Sequence, residues 1–203
     1  MGRMGRRMIP FGAALATVIV LLALLAVTTW LDYNSSNIGE GPADFYGTSR
    51  EVSLSELVQV ADKMDVMPLY LPSALPSGFK LTAIYLKDGP FIAIVVYSAE
   101  GNKDYKTAEL TIEFTPTSTP PTYEQLRAWA EESEDEMALE INGWPVRVLE
   151  KAATGGDKEH WEKYGAYQLL VFAWIEGINY TISPMTLTSD EAIQLVRSMR
   201  PIS

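Results

Sequence analysis

The residues able to do chemistry are few, and their types limit the reactions open to the chain. It has no cysteine and a single histidine, His160, in a charged segment. A thiol nucleophile, a thiolate metal site and a multi-histidine zinc site are therefore excluded. Nucleophilic catalysis needs a base beside the nucleophile, and a histidine in a polar loop is usually just solvated. We therefore predict that the chain is not an enzyme, and we predict no catalytic residue and no cofactor.

The carboxylates are numerous but follow no specific pattern. Residues 131–136 hold five acidic side chains in six positions, and Ca²⁺ takes oxygen ligands of this kind. The spacing and the glycine of an EF-hand are missing, so we interpret the segment as a solvated helix end and predict no metal site. With 26 acidic residues, a pair at glycosidase separation can always be found. An envelope hydrolase that uses carboxylates is therefore kept only as a second alternative.

Aromatic residues in the last third of the chain are the remaining lead. They are predicted to line an apolar groove on the concave side of a bent sheet, where a lipid or a peptide would lie. An aromatic-rich core is the alternative interpretation of the same residues. The predicted groove residues are Trp144, Tyr167, Phe172, Trp174 and Tyr180.

Two tripeptides match the acceptor sequence for N-glycosylation. They begin at Asn34 and Asn179, and each has serine or threonine two positions later. Both are predicted to lie outside the cell. Both are therefore predicted modification sites in a host that carries out N-glycosylation.

Residues 9–31 form an apolar run of 23 residues without an ionisable side chain. A helix of that length covers about 34 Å, enough to cross a hydrocarbon core of about 30 Å. Arg3, Arg6 and Arg7 precede the run, and the first basic residue after it is Arg50. This asymmetry predicts a cytoplasmic N-terminus and an extracytoplasmic C-terminal part.

We interpret the run as an uncleaved anchor in the cell membrane that contacts the lipid bilayer. A cleaved signal peptide is the first alternative, but its apolar stretch is usually shorter, about 7 to 15 residues. A pilin-type leader cut near Gly12 is the second. The predicted organisation is a cytoplasmic tail (1–8), the anchor (9–31), a linker rich in Gly, Ser and Asn (32–48), and one extracytoplasmic domain (49–203).

The charge distribution limits the partners of that domain. All 26 acidic residues lie after residue 31, whereas three of the 16 basic residues precede it. The part outside the membrane is therefore more acidic than the formal net charge of −10 of the whole chain. An acidic surface repels nucleic acid and anionic headgroups, so nucleic acid is not a predicted partner.

The fold class predicted for the domain is α+β. Capping residues and apolar stripes predict helices that start near Ser53, Thr122 and Ser189. Between them, short apolar or alternating segments are joined by short turns, which demand antiparallel pairing. We therefore expect one antiparallel, curved sheet with about three helices on one face. The predicted strands are 79–87, 91–98, 109–115, 137–141, 144–150, 166–176 and 178–183.

Several short motifs resemble a known group of extracytoplasmic domains. They are the segments 71–79 and 174–182, the turn at 142–144 and the acidic start of the last helix. This pattern resembles uncharacterised domains of bacteria and archaea that follow one membrane helix, and these are similar to the half-barrel domains of the RseB sensor and LolA lipoprotein-carrier group. The resemblance covers residues 50–200 and implies a sensing or binding module without catalysis. The short tail of residues 1–8 leaves no room for a cytoplasmic anti-sigma domain.

The sequence thus predicts a membrane-anchored, non-catalytic binding or sensor domain with protein partners in the membrane or envelope. The first alternative is an accessory subunit of a larger membrane complex or surface filament. Small residues such as Gly12 and Ala16 would then let the anchor pack closely against other helices.

Overall fold

The computed structural model describes residues 48–153 and 167–202. The predicted tail and anchor, nearly all of the linker, Asn34 and His160 lie outside these ranges. Within them, no helix combines the length and the apolar character needed to cross a membrane. The anchor at residues 9–31 therefore stays a prediction from the sequence.

The described residues form three helices and ten strands, and most bounds lie within one or two residues of those predicted. The helices are α1 (Leu54–Lys63), α2 (Tyr123–Ala130) and α3 (Ser189–Ser198). The strands are β1 (Arg50–Glu51), β2 (Leu69–Pro72), β3 (Lys80–Asp88), β4 (Phe91–Ser98), β5 (Leu110–Pro116), β6 (Glu136–Ile141), β7 (Trp144–Ala153), β8 (Tyr167–Ile175), β9 (Ile178–Pro184) and β10 (Met199–Ile202).

Eight of the strands form one antiparallel sheet in the order β1-β3-β4-β5-β9-β8-β7-β6. Neighbours are mostly hairpin partners, which is why short connections predicted them. The join between β5 and β9 is different, because α2 and three strands separate them in the sequence. Strands β2 and β10 form a second, two-stranded antiparallel sheet. The predicted α+β class is confirmed.

Two tight turns fix the register of the hairpins. Asn142 and Gly143 have φ of 55° and 83°, and they join β6 to β7 as the Asn-Gly pair predicted. Glu176 and Gly177 have φ of 49° and 80° between β8 and β9. Positive φ at both central residues matches the right-handed twist of the flanking strands. Glycine at the second position adopts that conformation without steric cost.

Helices α1 and α2 begin at the predicted capping residues, and α3 begins at Ser189 as predicted, directly after its cap Thr188. Thr122 and Thr188 each form a complete capping box, with Gln125 and Glu191 respectively. Ser53 forms only half of the predicted box: its side chain accepts a hydrogen bond from the Glu56 backbone, while the Glu56 carboxylate pairs with Arg50 instead.

Alternation along the strands separates the large sheet into two faces. We call the side that packs against α1, α3 and β2 the core face; its residues are nearly all fully buried. Its members include Ile84, Leu86, Ala93, Val95, Tyr97, Leu110, Ile112, Phe114, Val146, Val148, Val171, Ala173, Ile175, Tyr180 and Ile182.

We call the opposite side the outer face, and it carries a mixture of apolar, aromatic and polar side chains. Near β3 and β4 it holds a small buried cluster against which Tyr105 packs. Both sides of β4 are thus covered, as its continuous apolar sequence predicts. The outer-face residues used below are Glu113, Thr115, Arg147, Phe172, Trp174, Asn179 and Thr181.

The helices do not all lie on one face, which corrects the prediction. Helices α1 and α3 contribute buried residues to the core cluster. Helix α2 packs near β6 and β7, and its Trp129 ring lies against Arg147 of the outer face. A helix of two turns buries little: the apolar stripe of its sequence predicts that Leu126 and Trp129 both point inward, but only Leu126 is fully buried, and Trp129 is 46% exposed.

Candidate functional site

Tyr180 belongs to the core face, not to an open groove. It is 0% exposed, and its ring lies 5.0 Å from that of Phe114 in an edge-on arrangement. Its hydroxyl accepts a hydrogen bond of 2.9 Å from the Tyr70 backbone N–H. Burial is the main cause that raises the pKa of this phenol. Tyr180 therefore connects the large sheet to β2 and is closed to a ligand.

Trp144 lies on the same side as Tyr180. Its ring packs edge-on against Tyr70 at 5.2 Å, and it is half-buried against the core. The aromatic-core interpretation is therefore the correct one for Trp144 and Tyr180. Tyr167 begins β8, where its backbone pairs with Ala153; its side chain lies outside the described part of the structure.

Phe172 and Trp174 lie on the outer face. Both are half-buried, and their rings stack with centroids 6.2 Å apart at an interplanar angle of 22°. Because residues two apart on a strand share a face, this pair is separated from Tyr180 and Trp144 by the thickness of the sheet. The five predicted residues therefore do not line one groove.

A row of outer-face residues runs across four neighbouring strands and passes through Phe172. In register, Glu113 of β5 faces Thr181 of β9, Thr181 faces Phe172 of β8, and Phe172 faces Arg147 of β7. Neighbouring strands lie about 4.8 Å apart. We call these four residues the outer-face row; it places a carboxylate on one side of an aromatic ring and a guanidinium on the other.

Glu113 is the carboxylate of the row. It is half-buried, and burial raises the pKa of its carboxyl, while a 3.1 Å hydrogen bond from the Thr115 hydroxyl acts in the opposite direction. Within the described residues it makes no ion pair. An incompletely compensated carboxylate in a partly apolar surface favours any ligand that supplies a positive charge or a hydrogen-bond donor.

Arg147, at the other end of the row, is held in place by two partners. Its Nε and Nη2 donate to one oxygen of Glu136 at 3.0 and 2.6 Å. Its guanidinium carbon lies 5.5 Å from the centroid of the Trp129 ring, within the range of a cation–π contact. The positive charge of Arg147 is therefore offset by Glu136, and Trp129 extends the aromatic surface beyond the row.

Asn179 lies beside the row, between Thr115 and Trp174 in register. Its Nδ2 donates to the Thr181 hydroxyl at 3.3 Å, and its Oδ1 is buried without a hydrogen-bond partner in the described structure. A glycan attached to Nδ2 would disrupt the contact with Thr181. Use of this predicted glycosylation site stays untested.

In the described ranges, no group of three or more His, Asp or Glu side chains is placed to hold a metal ion. Glu113 and Arg147 are not among the site residues predicted from the sequence. Both occupy outward positions of alternating strands, and the signal that marks each is a charged residue between two buried apolar neighbours.

Comparisons with known proteins add no assignment. No family model, no curated protein and no solved structure matches the chain.

Proposed function

We propose that the chain is a single-pass membrane protein that displays a non-catalytic binding or sensor domain outside the cell membrane, with the outer face as its ligand surface. The observation that carries the proposal is the half-buried, stacked pair of Phe172 and Trp174, with Glu113 on the same face beyond one intervening strand. Folding has already covered the other face with helices, so these rings are not needed to complete the core.

The sequence supports the location and the class. The apolar run 9–31, flanked by arginines on one side only, supports an anchor with the domain outside. The resemblance to the half-barrel sensor and carrier group supports binding without catalysis. A large antiparallel sheet with two helices, α1 and α3, on its core face is compatible with that group. The curvature of the sheet is part of the proposal.

The proposal is tested by native mass spectrometry of the full chain, purified from its own membrane in a mild detergent. We expect a bound molecule on the wild type that is lost in the double variant Phe172→Ser/Trp174→Ser. The matched control is Leu54→Ser, an exposed apolar residue of α1 that does not belong to the outer face; this variant should keep the bound molecule.

Two results would contradict the proposal. A wild-type chain that is consistently empty would remove the binding function. A second protein at fixed stoichiometry, retained by the double variant, would favour the accessory-subunit alternative instead.

A further inference from the structure

We propose that the ligand of the outer face is an organic cation with an apolar body: the ammonium group pairs with Glu113 and the body lies on Phe172 and Trp174. This inference rests on the proposed function and adds the chemical class of the ligand. It is argued from the charges and the spacing of the outer-face row.

The charges of the row favour a cation. Arg147 is paired with Glu136, which offsets its positive charge and weakens its attraction for an anionic ligand. Glu113 has only the Thr115 hydroxyl as a hydrogen-bond donor in the described structure. A carboxylate that is partly desolvated is stabilised most by an opposite charge nearby. An anionic ligand would face repulsion from Glu113 and from the acidic chain as a whole.

The spacing of the row sets the shape of the ligand. Glu113 and Phe172 are separated by one strand, β9, which puts their backbones about 10 Å apart. Thr181 lies between them and supplies a small hydroxyl rather than a bulky side chain. A cation on a short apolar chain therefore reaches from the carboxylate to the ring, and the rings attract the cation as well as its apolar body.

The test uses three matched probes on the full chain in lipid nanodiscs: 4-phenylbutylammonium, 4-phenylbutanol and 4-phenylbutyrate. Binding is followed by ¹⁹F NMR of protein labelled with 5-fluorotryptophan, with the Trp174 signal assigned by substitution. We expect the cation to bind about 10-fold more tightly than the alcohol, as a charge-assisted hydrogen bond predicts. The butyrate should bind most weakly of the three.

Variants separate the two contacts. Glu113→Gln should reduce the preference for the cation over the alcohol to less than about 2-fold, whereas Phe172→Ala should weaken both probes together. The control is Asp62→Asn, an exposed acidic residue of α1, which packs on the core face; it should keep the full preference. The melting temperature of each variant shows that loss of folding is not the cause.

Three outcomes would overturn the inference. They are equal binding of the alcohol and the cation, an unchanged preference in Glu113→Gln, and binding of none of the probes. Equal binding that is lost in Phe172→Ala would leave the proposed function standing. The proposed function itself is tested separately, by what the chain purified from its native membrane carries and whether the double variant loses it.

Discussion

The two faces of the large sheet use similar residues for opposite purposes. On the core face, Phe114 and Tyr180 pack edge-on at 5.0 Å, and both are 0% exposed. On the outer face, Phe172 and Trp174 stack at 6.2 Å and stay half-buried. Tyr180 and Phe172 lie on adjacent strands, one register position apart. Aromatic content alone therefore does not distinguish a core side chain from a surface one; the parity of each residue in its strand does.

Because the two faces differ in burial, matched substitutions on the core face and the outer face should differ widely in their effect on the free energy of unfolding. Phe114→Ala should lower the free energy of unfolding by about 3–5 kcal/mol, because it removes a fully buried ring and leaves a cavity. Phe172→Ala should cost clearly less, since its ring is already partly in water and the site can fill with solvent. Chemical denaturation of both variants measures the two values.

An equal cost at the two positions would contradict the division into faces. It would mean that Phe172 is as much a part of the core as Phe114, and that its partial exposure is not functional.

A smaller effect is expected for the hydrogen bond that joins the large sheet to β2. Tyr180→Phe keeps the buried ring but leaves the Tyr70 backbone N–H without its acceptor. A buried unsatisfied donor costs about 1–3 kcal/mol. The control is Tyr70→Phe, which retains the backbone donor and the ring contact with Trp144. Thermal or urea unfolding should show a larger loss of stability for Tyr180→Phe. Equal losses in the two variants would show that this hydrogen bond does not stabilise the fold.

Much of the fold is predictable because its determinants are local. The hairpin at Asn142-Gly143 follows from residues that accept positive φ, and β5 follows from alternation around Leu110, Ile112 and Phe114. Capping boxes at Thr122 and Thr188 locate the starts of α2 and α3. In each case, the signal lies within a few neighbouring residues.

The parts of the fold that were not predicted depend on distant pairing. Strand β10 pairs with β2 from the other end of the chain, and neither is among the predicted strands. The face occupied by α2 depends on where the chain crosses after β5. The split of the aromatic residues was accessible in principle, because Phe172 and Trp174 alternate with buried Val171 and Ala173. The prediction of one groove treats the aromatic residues as a single group and does not use that alternation.

The cap of α2 tests whether the outer face depends on this short helix. Thr122→Ala removes the side-chain acceptor for the Gln125 backbone N–H and should cost about 1 kcal/mol. We expect the loss to be local: hydrogen exchange should speed up in α2, and Trp129 should become more mobile, while amides of β5 keep their protection. Uniform loss of protection across the sheet would show that α2 is integral to the core.

The smallest expected effect is the pH dependence of stability that Glu113 causes. This effect also best distinguishes the outer face from an ordinary solvated surface. Burial raises the pKa of this carboxyl in the folded state, so folding favours its protonated form. The contribution of Glu113 to stability is therefore greatest below its unfolded pKa of about 4.3 and declines as pH rises through the folded value. The stability of Glu113→Gln relative to the wild type should therefore increase as pH rises from about 4 towards neutrality.

Glu191 provides the control of opposite sign for that measurement. Hydrogen bonds from the Thr188 backbone N–H and hydroxyl lower the pKa of its carboxyl. Its stabilising contribution is present above the unfolded pKa and is lost as pH falls. The stability of Glu191→Gln relative to the wild type should therefore decrease as pH rises through the same region. Urea titrations at several pH values give both curves. If the two variants changed in the same direction, Glu113 would be an ordinary solvated carboxylate, and the outer face would lose the charge that selects its ligand.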